Sequence, residues 1–222
     1  MINVAIDGPV GAGKSSVARE CARRIGFIYV DTGALYRSCA LFCLRNGIDI
    51  SPDNENAIAA ALEERLALKL DRIDGEQHVY VNGEDVSDDI RTLEVSKAAS
   101  DISALPSVRK YLLNLQRSIA AENNVIMDGR DIGTVILPNA DLKIFITAKP
   151  EIRAKRRYDE LVAKGQNVTL GEVLIEVNRR DYNDTHRKEA PLKQAEDAIL
   201  IDTSELSFEE TVSGLTELIM SR

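Results

Sequence analysis

Ile2-Asn3-Val4-Ala5-Ile6-Asp7-Gly8-Pro9-Val10-Gly11-Ala12-Gly13-Lys14-Ser15-Ser16 stands at the head of the chain, and its reading decides the fold. The apolar run from Ile2 to Ile6 leads into Gly8-x-x-x-x-Gly13-Lys14-Ser15, and a helix-patterned stretch follows from Ser16 to Ile25. Strand, glycine loop, helix is the context in which G-x-x-x-x-G-K-[ST] forms a phosphate cradle. Its glycines let successive backbone N–H groups turn inward on phosphate oxygens, and the helix N-terminus adds partial positive charge. Gly8, Pro9, Val10, Gly11, Ala12, Gly13, Lys14, Ser15 and Ser16 are therefore the candidate ATP-binding residues. Lys14 is expected between the β- and γ-phosphates, and the Ser15 hydroxyl on the accompanying Mg²⁺.

Outward from this loop the pattern continues as strand and helix. Gly26 is a stop signal, Phe27 to Val30 reads as a short buried strand, and Asp31-Thr32-Gly33-Ala34-Leu35-Tyr36-Arg37 opens the next helix. Loops at the carboxyl ends of parallel strands face a ligand crevice, which makes Thr32 and Arg37 candidates for a second substrate. The structural alternatives are a helix N-cap for Thr32 and a solvated charge for Arg37. Ser51-Pro52 reads as N-cap and N1 of a further helix.

Alternation from Leu66 to Ile73, the break at Gly75, and Val79, Val81, Gly83 and Val86 predict a small antiparallel sheet within an inserted lobe, residues 62 to 102. Asp88 to Ser103 and Pro106 to Ala121 read as helices that bring Ser100 and Arg109 near their junction.

Val125-Ile126-Met127-Asp128-Gly129-Arg130-Asp131 reads as a buried strand ending in a carboxylate, with two more charges in a glycine-flanked turn. Asp128 is a candidate holder of Mg²⁺ or its waters, and Arg130 and Asp131 project toward the crevice. Leu142 to Ile146 and Ala198 to Ile201 are the fourth and fifth strands. Between them Pro150 opens a helix with Arg153, Arg156 and Arg157 at i, i+3 and i+4, a face that suits a lid over phosphates, residues 150 to 165. The alternative is a solvated face paired with Glu151 and Asp159. Thr169-x-x-Glu172 and Ser207-x-x-Glu210 are capping boxes, and the first starts a helix with Arg180, Asp184 and Arg187 on one face.

At 222 residues the chain fits one α/β domain with insertions. A net charge of −8 argues against nucleic acid as a partner, so any phosphate site is a local cluster of cations. Cys21, Cys39 and Cys43 lack metal-like spacing and read as reduced core thiols. No segment approaches a bilayer span, and a cytoplasmic monomer without membrane contact is expected.

Taken together, Ile6 through Lys14, Asp31 through Arg37, Gly129-Arg130-Asp131-Ile132-Gly133-Thr134, and Arg180-Asp181 through Arg187 with Ala190-Pro191-Leu192 resemble the bacterial cytidylate kinases, a branch of the P-loop nucleoside monophosphate kinases. The resemblance covers essentially the whole chain. It implies a three-layer α/β P-loop kinase fold with a five-stranded parallel sheet, an inserted monophosphate-binding lobe and a short helical lid, and transfer of the ATP γ-phosphoryl to CMP or dCMP with Mg²⁺. By the same resemblance Thr32, Ser100, Arg109 and Asp131 meet the cytosine, Arg37, Arg130 and Arg187 the monophosphate, and Arg180 and Asp184 the sugar. Lys14, Arg130, Arg153 and Arg157 attend the phosphates in transfer. Two departures stand out: Thr32 takes the place of a common Ser, and Ser15-Ser16 follows Lys14 where Gly-Thr is frequent, which makes Ser16 a second candidate for the metal. The competing assignments are a small P-loop kinase with another acceptor, such as shikimate or dephospho-coenzyme A, and a GTPase-like switch. No N-K-x-D follows a late strand to support the switch.

Overall fold

The computed structural model describes residues 1–73 and 76–222. In chain order, β1 (Asn3–Asp7), α1 (Lys14–Ile25), β2 (Ile28–Asp31) and α2 (Thr32–Arg45) lead through a 3-10 turn at Pro52–Asn54 to α3 (Glu55–Arg65). Then come β3 (Leu68–Ile73), β4 (Glu76–Val81), β5 (Glu84–Asp85), a 3-10 turn at Asp89–Arg91, α4 (Leu93–Ile102) and α5 (Pro106–Glu122). The chain continues through β6 (Val125–Gly129), a π-helical turn at Ile132–Ile136, β7 (Leu142–Thr147), α6 (Pro150–Ala163), α7 (Leu170–His186), β8 (Ile199–Asp202) and α8 (Phe208–Met220). These elements divide into two compact units, Met1–Tyr29 with Asn123–Arg222, and Val30–Glu122.

In the first unit, β1 is the spine of a parallel sheet of order β2-β6-β1-β7-β8. Its residues Val4, Ala5 and Ile6 are fully buried, as a strand covered on both faces requires. The chain leaves β1 toward one edge and later adds β7 and β8 on the other side. The carboxyl end of β1 is thus the switch point at which open α/β sheets bind ligands. One face is covered by α1 and α8, whose Val17, Cys21, Val212, Leu215 and Ile219 pack with Val4, Ile6, Ile144 and Ile146. Both capping boxes close as the sequence predicts: Thr169 and Ser207 each accept the N–H of the glutamate three residues on, and each glutamate side chain returns a bond to the cap N–H. Such a cap contributes about 1 kcal/mol.

In the second unit, α2 is buried along most of its length, and Leu35, Phe42, Ile58, Leu62, Val81, Ile102 and Leu112 join one core. The antiparallel sheet β3-β4-β5 packs into it through Val79 and Val81. Gly75, read as the break between strands, lies outside the described residues. Cys39 and Cys43 belong to this core, where burial pushes both thiols up, Cys43 to about 11, so that neither is a reactive thiolate at neutral pH.

Two local expectations change. Ser51 makes no cap bond and donates to Asp49 instead, and α3 starts only at Glu55 after a 3-10 turn. The stretch from Asp88 is interrupted at Thr92, whose extended backbone (φ −69°, ψ 158°) restarts the helix while its hydroxyl accepts the Val95 N–H. Among the described residues no helix is long and apolar enough to cross a membrane.

Candidate active site

The glycine loop of the first unit follows β1 directly. Gly8 is obligatory by close approach: a Cβ there would lie 1.9 Å from the Ile146 carbonyl oxygen. Gly13 caps α1 in the left-handed region (φ 85°), which aims the first N–H groups of the helix into the loop. Lys14 is buried, and its Nζ donates to the Pro9 carbonyl at 2.8 Å. Burial, assisted by the nearby Arg130, pushes its pKa down to about 7, against the pull of Asp128, Asp184 and Asp7.

Asp128 ends β6 and is held from two sides. The Ser15 hydroxyl donates to its Oδ2 at 2.7 Å, and the Tyr29 hydroxyl donates to its Oδ1 at 2.8 Å. Ser16 points to solvent. Ser15 and Asp128 are hard oxygen donors side by side, which fits Mg²⁺, an ion that takes one or two protein oxygens and completes its shell with phosphates and water.

Arg130 donates from Nε to Asp184 Oδ2 at 2.7 Å, which joins the loop after β6 to α7. Burial alone would raise the Asp184 carboxyl, but Arg130, Arg180 and Arg187 hold it below the usual carboxylate range. Arg187 donates to the Ala190 carbonyl at 2.8 Å and to Asp131 Oδ1 at 3.3 Å. Asp184 on α7 is therefore turned to the residues that follow Asp128, whereas Arg187 lies not on the helix face the spacing predicts but just past its end, in extended backbone (φ −63°, ψ 143°), and reaches Asp131 from there.

The three arginines of α6 part ways. Arg153 is 3% exposed and donates to the Ala148 carbonyl, to the Val10 carbonyl of the glycine loop and to Asp181. Arg156 is engaged by Thr203 through its hydroxyl and carbonyl oxygens. Arg157 pairs with Glu160 at 2.7 Å, not with the Glu151 or Asp159 of the alternative reading. Of the two histidines, His186 is exposed and stacked on Tyr182, and His78 sits 2.7 Å from Asp85 in the small sheet.

Asp7 was not a site candidate on sequence grounds, and the structure gives it prominence. It is 4% exposed and accepts the N–H groups of Ile132 and Gly133, each at 2.8 Å. A carboxylate closing a buried strand immediately before a glycine loop was the available signal. Burial pushes its pKa up to about 6; Asp131 adds to the rise, while the two N–H groups and Lys14 oppose it. Between 3.8 and about 6 the folded chain thus keeps a proton that the unfolded chain has lost, and stability falls as pH rises through that window, by at most about 3 kcal/mol. Urea unfolding of wild type and Asp7→Asn from pH 4 to 7 is expected to show this downward slope only in wild type; equal slopes would remove Asp7 as its source.

The second unit holds its own cluster. Asp31, not Thr32, caps α2: its Oδ1 accepts the Ala34 N–H at 3.0 Å and its Oδ2 pairs with Arg37 at 2.8 Å, while its own N–H reaches Gln77 in β4. Burial would raise the Asp31 carboxyl, yet Arg37 holds it low. Thr32 is buried beside this cap. Arg109 lies 5.6 Å from the Tyr36 ring centroid and donates to the Ser103 carbonyl, while Ser103 donates to the Ser100 carbonyl. Tyr36, Ser100 and Arg109 thus gather at the α4–α5 junction.

Strand, glycine cradle and helix, with a serine hydroxyl on the carboxylate near the end of a neighbouring strand, define a P-loop nucleotide-binding fold. Shikimate kinase from Bacteroides thetaiotaomicron shares this fold: TM-score 0.50, 99% of this chain and 98% of that one covered, 16% identity. The chain belongs to the cytidylate kinase family, whose model matches residues 4–221. Cytidylate kinase of Carboxydothermus hydrogenoformans is 50% identical over 98% of this chain and 97% of its own length. That of Lactobacillus johnsonii is 46% identical over 100% and 95%.

Proposed function

We propose that the chain transfers the γ-phosphoryl group of ATP to CMP or dCMP, releasing ADP with CDP or dCDP. The observation that carries this reading is the family match across residues 4–221, which takes in every stretch bearing a candidate site residue. Gly8 to Ser16 hold the triphosphate, and Ser15 and Asp128 are the residues that would hold Mg²⁺. The metal, when bound, supplies charge neutralisation at the phosphates. Thr32, Arg37, Ser100, Arg109, Arg130, Asp131, Arg180, Asp184 and Arg187 are assigned to the acceptor nucleotide.

The acceptor is already a phosphate anion at neutral pH, so no general base is required. Catalysis reduces to alignment and to offsetting repulsion between two anionic groups. Planar guanidiniums suit that work better than ammonium groups because they grip phosphate oxygens in pairs. Arg153, fixed to the Val10 carbonyl, and Arg157, at the surface of α6, serve the phosphates from residues 150 to 165, a segment we assign as the lid. ATP and nucleoside monophosphates are pools of the cytoplasm, where this activity belongs.

The test is acceptor-dependent ADP release over CMP, dCMP, UMP, AMP, shikimate and dephospho-coenzyme A. Turnover with CMP or dCMP far above the others is expected. A different preferred acceptor would overturn the substrate assignment, and nucleotide binding without acceptor-dependent turnover would point to a switch.

A further inference from the structure

Asp7 and Gly8 are consecutive, yet they face different tasks. Gly8 opens the phosphate loop, whereas the Asp7 carboxylate reaches across to the segment after β6 and accepts the first two N–H groups of the π-helical turn, Ile132 and Gly133. At the start of a helical turn these N–H groups have no partner within the turn, so the carboxylate supplies the acceptors they need. The neighbourhood leaves little room for adjustment: a Cβ on Gly133 would lie 3.1 Å from Lys143 Cδ and 3.4 Å from Asp7 Oδ2.

Arg130 and Asp131 lie between two fixed points, both referred to β1. Before them, Gly129 pairs in the sheet with Asp7 itself. After them, the turn is tied to the Asp7 side chain. The residues read as the phosphate contact and the base reader are thus suspended from the strand that delivers the phosphate loop. A carboxylate fits this task because it offers two oxygens to two N–H groups, whereas an amide must turn its NH₂ toward one of them. Burying a carboxylate carries a desolvation cost, and a small apolar residue would avoid it.

We propose that Asp7 is a positioning residue for acceptor selection, which fixes Arg130 and Asp131 against the phosphate loop through the N–H groups of Ile132 and Gly133. It touches no reacting atom. The proposal rests on the reading of Asp131, proposed above as a contact of the acceptor nucleotide, as the residue that meets the cytosine.

Asp7→Asn keeps the size of the side chain and loses one of the two acceptors. The expected result is a fall on the order of 10²-fold in kcat/KM for CMP, as misplacement by about 1 Å can produce. The loss is expected chiefly in KM for CMP, with a narrowed CMP-to-UMP ratio and KM for ATP within about twofold of wild type, since the glycine loop keeps its own geometry. KM values and the CMP-to-UMP ratio do not depend on the fraction of folded enzyme, which separates positioning from simple loss of stability. If Asp7→Asn yields no soluble protein, Asp7→Ser, smaller and uncharged, takes its place with the same expectation. Asp131→Asn is measured alongside. If Asp131→Asn moves the ratio and the Asp7 variant does not, the Asp7 proposal is overturned alone. If neither moves it, the base-reading assignment falls and the proposal falls with it. A parallel rise in KM for ATP and CMP would make Asp7 a general structural residue and also overturn it.

Discussion

Lys14→Ala is expected to lower kcat on the order of 10³-fold while weakening ATP binding far less, on the proposal that its side chain acts where charge builds up during transfer. Lys14 is buried and its Nζ rests on the Pro9 carbonyl; burial and Arg130 push its pKa down to about 7, opposed by Asp128, Asp184 and Asp7. In so dry a setting one positive charge at the β/γ bridge is worth far more than the same charge in water. The backbone cradle of Gly8 to Gly13 is expected to survive the substitution and to keep its affinity for triphosphate. Steady-state kinetics with excess CMP, set beside a direct nucleotide titration, separates the two quantities. A variant with near-normal kcat, or one whose ATP affinity falls as far as its turnover, would remove Lys14 from this role.

Asp131→Asn is the second large effect, and it concerns base choice. Cytosine presents an amino donor at N4 with acceptors at N3 and O2; uracil presents an acceptor at O4 and a hydrogen on N3. An ionised carboxylate accepts from the cytosine amino group. Asp131 is 3% exposed and within 3.3 Å of Arg187, so a uracil carbonyl brought against it would leave buried polar groups unpaired. Sites built on such pairing discriminate by on the order of 10⁴-fold. Wild type is expected to prefer CMP over UMP by that order. Asp131→Asn, whose amide donates to O4, narrows the preference mainly by losing CMP activity. The measurement is kcat/KM for both nucleotides in both proteins. Equal use of UMP by wild type, or an unmoved ratio in the variant, would remove Asp131 as base reader.

What could be read from the sequence was whatever is encoded over a few residues. The glycine loop, the stop at Gly26 and the two capping boxes each depend on neighbours within one or two turns, and all form. The end of β6 was legible for the same reason, since a buried run closing on Asp128 marks a strand whose last side chain meets the site. Contacts set by distant parts of the chain were not legible. The partners of Asp7 lie 125 and 126 positions along the sequence, so nothing local marks it as an anchor. Spacing put Arg153, Arg156 and Arg157 on one face, yet long side chains follow their acceptors: Val10, Ala148 and Asp181 for the first, Thr203 for the second, Glu160 for the third. At Thr92 the break in the helix comes from a side-chain cap that competes with continuation, a contest propensity alone leaves undecided.

The pairing of arginines with carboxylates has a consequence for what the enzyme ignores. Arg130 is joined to Asp184, Arg153 to Asp181, Arg187 to Asp131 and Arg37 to Asp31. These guanidiniums are not a bare positive field that draws in any passing anion. A lone sulfate, chloride or inorganic phosphate offers each of them one partner in exchange for one it already has, and gains little by the trade. A ligand with several charges on one frame has more than one guanidinium to gain, which a single small anion does not. The acidic side chains are thus internal counterions: any anion that approaches one of these arginines has to share it with a carboxylate already bonded there.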